Sequence, residues 1–389
     1  MLLTTKPDLI DFNIPSSVRL IVSSLSSPNS ASSYCLGSSG LLDGSISYMY
    51  TSRDLTGSIA STKQLILRDL FPGYRQVQNL PNNDEAIGSK SRHGDAQEHR
   101  NTLLFGRLYL PRPTLEALYL RRVNPRTQLR VSCVSDASLP NKATLLAQVQ
   151  HNAVRHSTEY MFSTDSALLG IQSLYNFGAL EDTIAPSIPD DEPLSNPKEA
   201  TASLDASIKP QGRFSAGGEV YYGLLNKSGG LSTGLRYATL PRHPGFPYTM
   251  TCTLNPLMGS LSSTYSVLAS PLLALSSRFD FNAYSYESDL QVGFELWRPT
   301  PPESVDALQW AKVKLNPPSD ISNQPNRLRY GDVGEGPGCL KAALDQKGSM
   351  AFLWAGKIKQ LVYNIGLIMD LNGGENFFKG FGIEVHYSS

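Results

Sequence analysis

His151 and His156 stand close together in the chain, with Glu159 just behind them. These are residue types that hold a divalent transition metal. No further ligand follows at a useful spacing, so the stretch reads as strand ends carrying imidazoles. Gly334-Glu335-Gly336-Pro337-Gly338 is glycine-rich. It lacks the Gly-Lys-Ser/Thr ending of a phosphate loop and reads as a flexible loop. Asp190-Asp191-Glu192 offers adjacent carboxylates, but it lies in proline-rich sequence and reads as a solvated run. Arg121, Arg122 and Arg126 surround a turn. At a membrane surface such a turn meets lipid headgroups; in water it is ordinary turn solvation. The four cysteines, Cys35, Cys133, Cys252 and Cys339, form no CxxC pair and no zinc spacing. They read as isolated buried or lipid-facing thiols. We therefore expect no catalytic residue, no metal, no cofactor and no enzyme activity.

The elements that would carry these residues are strands. The 389 residues hold 34 basic and 34 acidic side chains, a formal net charge of zero. That balance argues against a nucleic-acid binder, which would show a basic field. Charged residues make up 17%, against the ~25% of soluble domains. Yet no apolar run approaches the ~18 residues of a transmembrane helix. A barrel reconciles the two, because lumen-facing residues dilute the lipid-facing ones. A large soluble all-β protein would show the same alternation. Met1-Leu2-Leu3-Thr4-Thr5-Lys6-Pro7-Asp8 lacks the charged and apolar regions of a secretory signal. This counts against a bacterial outer-membrane protein; a mitochondrial outer-membrane barrel needs no such signal.

Segments of about ten residues with period-two alternation recur between short turns. Val18 to Ser26, Ala31 to Ser38 and Gly44 to Thr51 open the series. In the third, Ile46, Tyr48 and Tyr50 share a face. Leu290, Val292, Phe294 and Leu296 alternate with Gln291, Gly293 and Glu295. Leu361, Tyr363, Ile365, Leu367, Met369 and Leu371 oppose Asn364, Gly366 and Asp370. Six consecutive strands are expected between Arg213 and Trp297, and about 18 or 19 in the whole chain. Turns such as Leu42-Asp43-Gly44, Asn226 to Gly230 and Asn372-Gly373-Gly374 tolerate positive φ. Aromatic residues near strand ends suggest interfacial girdles: Tyr48, Tyr50, Phe105, Tyr109, Tyr221, Tyr222, Tyr284, Tyr286, Trp297, Phe377 and Phe378. Residues 1–17 form an N-terminal segment. Residues 18–389 form one barrel domain with long water-exposed loops at about 72–100, 180–211 and 298–347. Within the last, Ser304 to Lys312 suits a short helix capped by Ser304.

The final strand places Phe381, Ile383, Val385 and Tyr387 on one face and Gly380, Gly382, Glu384 and His386 on the other. Several stretches together resemble the mitochondrial distribution and morphology protein 10 family of fungal outer-membrane barrels. They are Gly44 to Tyr50, Gly106 to Pro111 with Leu115-Glu116-Ala117, and Tyr160 to Thr164. They continue with Leu254 to Gly259, Ser262 to Ser266, Phe279 to Ser288 and Phe381 to Ser388. The resemblance runs from about Leu9 to the end and is weakest in the long loops.

This resemblance implies a 19-stranded barrel related to the voltage-dependent anion channels, its first and last strands paired in parallel. It implies two partnerships. One is with the ER–mitochondria encounter structure, a tether whose soluble members carry lipids. The other is with the sorting and assembly machinery, beside the central insertase barrel. It maps the family's docking tyrosines onto Tyr48 and Tyr50. It maps the terminal assembly signal onto Gly380, Gly382, Val385 and Tyr387, with glycine rather than a polar residue at Gly380. Family members carry a longer N-terminal segment with a helix in or near the pore. Here the match begins almost at Met1, so residues 1–17 read as shortened, by truncation or in nature, which puts a plugging role in doubt. The expectation is thus a mitochondrial outer-membrane barrel at ER contact sites, bound by membrane lipids and by subunits of both assemblies. The alternative is an anion-channel-like metabolite pore. A strongly basic lumen would favour that, whereas the inward positions read as a mixture of Glu295, Glu384, Asp370, Lys357 and Lys359.

Overall fold

A computed structural model describes residues 9–38, 42–55, 67–71, 73–76, 101–136, 142–178, 212–241, 243, 245–298, 338–372 and 377–388. Nineteen strands form one sheet. The first nine are β1 (Val18–Ser27), β2 (Ser30–Ser38), β3 (Leu42–Thr51), β4 (Thr102–Leu110), β5 (Thr114–Asn124), β6 (Thr127–Ser135), β7 (Ala143–Asn152), β8 (His156–Ser163) and β9 (Leu168–Phe177). Six follow in close succession: β10 (Gly212–Gly223), β11 (Ser228–Thr239), β12 (Tyr248–Asn255), β13 (Ser260–Ser270), β14 (Leu273–Asn282) and β15 (Ser288–Trp297). The last are β16 (Gly338–Asp345), β17 (Ser349–Ile358), β18 (Leu361–Asp370) and β19 (Phe378–Ser388). The six strands expected between Arg213 and Trp297 are β10 to β15. The only helix beyond a single 3-10 turn, among the described residues, is the short α1 (Leu67–Leu70).

Each strand pairs antiparallel with the next, and the ring closes where β1 meets β19 in parallel. The seam runs from Val18 opposite Ile383 to Ser23 opposite Ser388. Chain direction alternates from strand to strand, so an odd number leaves the first and last running the same way. Closure pairs every strand on both sides, and no edge is left to bare its backbone groups in lipid.

Alternation then sorts the side chains. Val18, Leu20, Tyr34, Leu36, Ile46, Val220, Val292 and Phe381 all point outward and are exposed. On β18 the outward Ile365 and Leu367 pair with Trp354 and Phe352 of β17 on one side and with Ile383 and Phe381 of β19 on the other. Strands of this length, tilted, span a bilayer core, and only lipid can cover so wide an apolar wall. The fold is a transmembrane β-barrel. The inner face carries Ser45, Ser47, Gln172, Ser215, Ser276, Glu295, Lys341 and Asn364, all buried.

Several expectations need correction. The loop placed at 298–347 is shorter, because Gly338–Asp345 forms β16. Its alternation of Leu340, Ala342 and Leu344 with Cys339, Lys341 and Ala343 matches β15, a pattern that the preceding prolines masked. The aromatic girdle loses members to the interior. Trp297 is 2% exposed, and Tyr221 bonds inside while its neighbour Tyr222 is exposed. Consecutive residues on a strand cannot share a face. Phe105 and Tyr109 also lie on the inner side, with Arg107 between them. Lys359 is no inward strand residue: it sits in the β17–β18 turn with φ of 54°. The helix expected at Ser304 to Lys312 lies outside the described residues.

The interior is occupied by the chain itself. Leu9 is buried in a cluster with Tyr74, Leu268 and Ala274. Leu67 of α1 is buried against Trp297, Cys339 and Val362. Residues 9–17 continue along the wall as a strap. Asp11 pairs with Arg278 at 2.6 Å. Ile14 and Pro15 lie over Gly366, where a Cβ would meet Ile14 Cγ2 at 2.5 Å and Pro15 Cδ at 2.7 Å. Pro15 O and Ser17 N press on Gly382. The Ile383 amide donates to Ser17 O at 3.1 Å. The expectation of a water-exposed loop from residue 72 therefore fails at its start, where Tyr74 is buried. Of the N-terminal segment, residues 9–17 run along the inner wall and are not helical.

Gly366 lies on β18, directly opposite Gly382, and both glycines sit under the strap. Gly366→Val should unseat residues 9–17 and destabilise the barrel by about 1–3 kcal/mol. Denaturant unfolding in detergent would read the loss. A thiol introduced as Ile14→Cys should react faster with maleimide in the Gly366→Val background. Unchanged labelling would show that the strap does not depend on this contact.

Candidate functional site

Three regions stand out: the outer tyrosines of β3, the seam, and the packed interior. Tyr48 and Tyr50 point outward, 52% and 43% exposed. Ser45, Ser47 and Thr51 on the same strand are buried on the inner side, and Ser47 Oγ donates to Ser33 O at 3.3 Å. The neighbours of Tyr48 across the sheet are Ser32 on β2 and Gly106 on β4. Both are small, so the ring stands clear of the wall. Tyr50 lies between Ser30 and Leu104. The tyrosines thus form an amphipathic ridge on the lipid-facing surface, open to a partner in the membrane plane.

The four residues of the terminal signal divide between the faces. Val385 and Tyr387 point outward, opposite Tyr363 and Leu361 on β18 and opposite Leu20 and Val22 on β1. Gly380 and Gly382 point inward, opposite Ile368 and Gly366. The strap leaves no room for a side chain at Gly382, whereas a Cβ at Gly380 would meet nothing within 4 Å. Packing therefore demands glycine at Gly382 and not at Gly380. Glu384 and His386 face inward, 3.6 Å apart.

The interior holds a buried ion pair that sequence reasoning did not single out as a pair. Lys341 Nζ lies 3.6 Å from Glu295 Oε2, and both side chains are 3% exposed. The register sets it, because Glu295 and Lys341 are direct partners across β15 and β16. The indole N–H of Trp297 donates to Glu295 Oε1. Arg68 of α1 stacks over the Trp297 ring at 5.5 Å. Gly73 packs against the Glu295 carboxylate. The pair thus anchors the segment around α1 to the wall. A second network lies on β9 and β10, where Gln172 Nε2 donates to Tyr221 Oη at 2.8 Å and Tyr221 Oη donates to Glu219 Oε2 at 2.9 Å. The interior is mixed in charge: beside the Glu295–Lys341 pair, Arg278 has Asp11 and Asp280, while at the exposed end of β19 Lys379 has Asp370 at 2.6 Å.

The histidines do not assemble a metal site. His151 and His156 approach with ring centroids 6.3 Å apart on the outer side. Glu159 opposes Gln150 and Gln172 on the inner side. Among the described residues no cluster could hold a metal. The four thiols are free, with Cys339 buried in the interior and Cys252 exposed on the outside. Asp190 to Glu192 and residues 334–337 lie outside the described residues.

An apolar exterior, a closed ring of 19 strands and a parallel seam define the class: a membrane-spanning β-barrel of odd strand number. Comparison places it further. The family model described as mitochondrial distribution and morphology protein 10 matches residues 1–331. The protein of that name from Phaeosphaeria nodorum is 49% identical, covering 98% of this chain and 92% of its own length. The one from Sclerotinia sclerotiorum is 46% identical, covering 100% of this chain and 94% of its own. The one from Chaetomium globosum is 38% identical over 93% of this chain and 92% of its own. The chain belongs to the mitochondrial distribution and morphology protein 10 family. Membership supports a mitochondrial location and a role in mitochondrial distribution and morphology.

Breaking the interior ion pair from one side should be costly. Lys341→Met would leave Glu295 buried without its cation, a loss of about 3–5 kcal/mol. Replacing both, as Glu295→Gln with Lys341→Met, should restore most of it. Thermal unfolding in detergent, followed by tryptophan fluorescence, measures the difference. A double variant as weak as the single one would mean that the pair contributes by shape rather than charge.

Proposed function

We propose that this barrel is a structural platform in the mitochondrial outer membrane rather than an enzyme or an open pore. Its work is to hold partners at the membrane. One set is the ER–mitochondria encounter structure, which it anchors for tethering, lipid exchange and mitochondrial shape. The other is the sorting and assembly machinery, where it serves as a subunit beside the insertase barrel during assembly of barrels and translocase subunits. The observation that carries this reading is the interior: residues 9–17 and the segment around α1 take up space that a metabolite channel would keep for solute. Mixed interior charge adds to it, since an anion pore gains from a single-sign lumen. Function then falls to the outer wall and the rims, and Tyr48 and Tyr50 form an exposed aromatic pair on that wall with small neighbours beside Tyr48.

Affinity purification of the tagged protein from mitochondria in mild detergent is the direct test. Recovery of both the insertase barrel and the tether subunits is expected. Recovery of neither, with large steady conductance in planar bilayers, would favour the pore. Tyr48→Ala combined with Tyr50→Ala should lower co-purification of the insertase about tenfold, the scale of losing an aromatic hot spot. The barrel should stay folded, since both rings lie outside its packed interior. Undiminished insertase recovery would remove the tyrosines from the docking surface.

A further inference from the structure

The outer face of β5 to β8 changes character at one rim. Arg121 continues the outward row of Leu115, Ala117 and Tyr119 near the end of β5. His151 ends the row of Leu145, Ala147 and Val149 on β7. His156 begins the row of Thr158, Tyr160 and Phe162 on β8. The turns between these strands add Arg126 and Arg155 at the same rim. Arg121, Arg126, Arg155 and His156 are exposed. Hydrogen bonds tie the two turns together. The Asn152 amide donates to Arg126 O at 2.7 Å, and Thr127 Oγ1 lies 3.0 Å from His151 Nδ1. The Asn176 amide donates to Arg155 O at 2.8 Å, which fixes the second turn to β9. No outward position of β5 to β9 holds an acid; Glu116 and Glu159 both face inward. The sequence offered these residues as two unrelated features, a basic turn and a histidine pair. The fold makes them one cluster, continuous with the lipid-facing wall.

We infer that this cluster of Arg121, Arg126, Arg155, His151 and His156 holds the headgroup of a net-anionic phospholipid whose chains lie along Leu129, Val149 and Tyr160. Guanidinium forks match phosphate oxygens in pairs. The imidazoles add hydrogen-bonding groups at the same level. A zwitterionic lipid brings its own cation to the cluster, whereas an anionic one does not, so the net-anionic class is preferred. The inference rests on the barrel's membrane placement and not on which assembly it joins.

The test is spin-label resonance on the full-length protein in phosphatidylcholine vesicles. Spin-labelled phosphatidylglycerol is compared with spin-labelled phosphatidylcholine. The fraction of each label held at the protein surface should favour phosphatidylglycerol by about fivefold, the effect of one well-placed basic residue at a membrane surface. The preference should fall toward parity in Arg121→Gln/Arg126→Gln/Arg155→Gln, and in high salt. Heat-dependent gel migration confirms that the variant barrel is folded. Parity in the unaltered protein would overturn the proposal, as would a preference that survives the triple variant. Parity that becomes a preference only in Asp190→Asn/Asp191→Asn/Glu192→Gln would assign the cluster to the chain's own acidic run and also overturn it. Absence of any protein-held fraction for both labels would overturn the membrane placement itself.

Discussion

Every part of this architecture depends on one requirement: in hydrocarbon, no backbone amide or carbonyl can be left without a partner. A sheet meets it only by closing, and closing fixes the seam. With 19 strands alternating in direction, β1 and β19 run the same way. Parallel pairing is slightly weaker per residue than antiparallel pairing. The seam is also short, six residue pairs against nine along β1 and β2. It is therefore the place where the sheet most needs support from elsewhere. The segment before β1 supplies it: Ser17 O accepts from the Ile383 amide and extends the seam's ladder, while Pro15 crosses β19 on the inner side. Gly382 lets the strap come that close.

Closure leaves an interior that must be water-filled or packed, and here described residues show packing. The packing is not a uniform apolar core. Leu9, Leu67, Tyr74 and Trp297 form two small greasy clusters. Elsewhere on the inner face polar groups are held together: Asp11 with Arg278, Glu295 with Lys341, and Gln172 with Tyr221 and Glu219. A buried pair of this kind adds little net stability compared with an apolar pair of the same size. It does fix what lies against it, because a misplaced partner would strand a charge. Specific seating of α1 over Trp297 is the physical return of placing Glu295 and Lys341 opposite each other.

Much of the wall was legible in sequence, and for a simple reason. Period-two alternation is local, so Val18 to Ser26 or Leu290 to Trp297 announces its faces without knowledge of neighbours. The strand count followed from the same signal. What failed was whatever depends on contacts across the ring. Trp297 reads as a girdle residue until Glu295 and α1 are seen beside it on the inner face. Tyr74 reads as a loop residue until Leu9 and Ala274 enclose it. Gly338 to Asp345 reads as the end of a proline-rich stretch, although its pairing with β15 and β17 is regular. Residues 9–17 carry no periodic pattern at all. Their order comes from Gly366, Gly382 and Arg278, all more than two hundred and fifty residues away in the chain. The candidate site was readable to the same degree: Tyr48 and Tyr50 share a local face, but the basic cluster needed four strands in register to appear.

Topology also sorts the long connections. Those following β3, β9 and β15 span residues 52–101, 178–211 and 298–337. Each follows an odd-numbered strand. Odd strands all run in one direction across the membrane, so these three connections leave from one rim, as do the turns that carry Arg126 and Arg155. The opposite rim has shorter links, such as Leu224 to Lys227 and Gln346 to Gly348. The two sides of the membrane therefore meet different surfaces. The three long connections belong to one side of the membrane. Tyr48 and Tyr50, by contrast, face the lipid plane. Wall and rim are thus separate surfaces, joined only by the sheet.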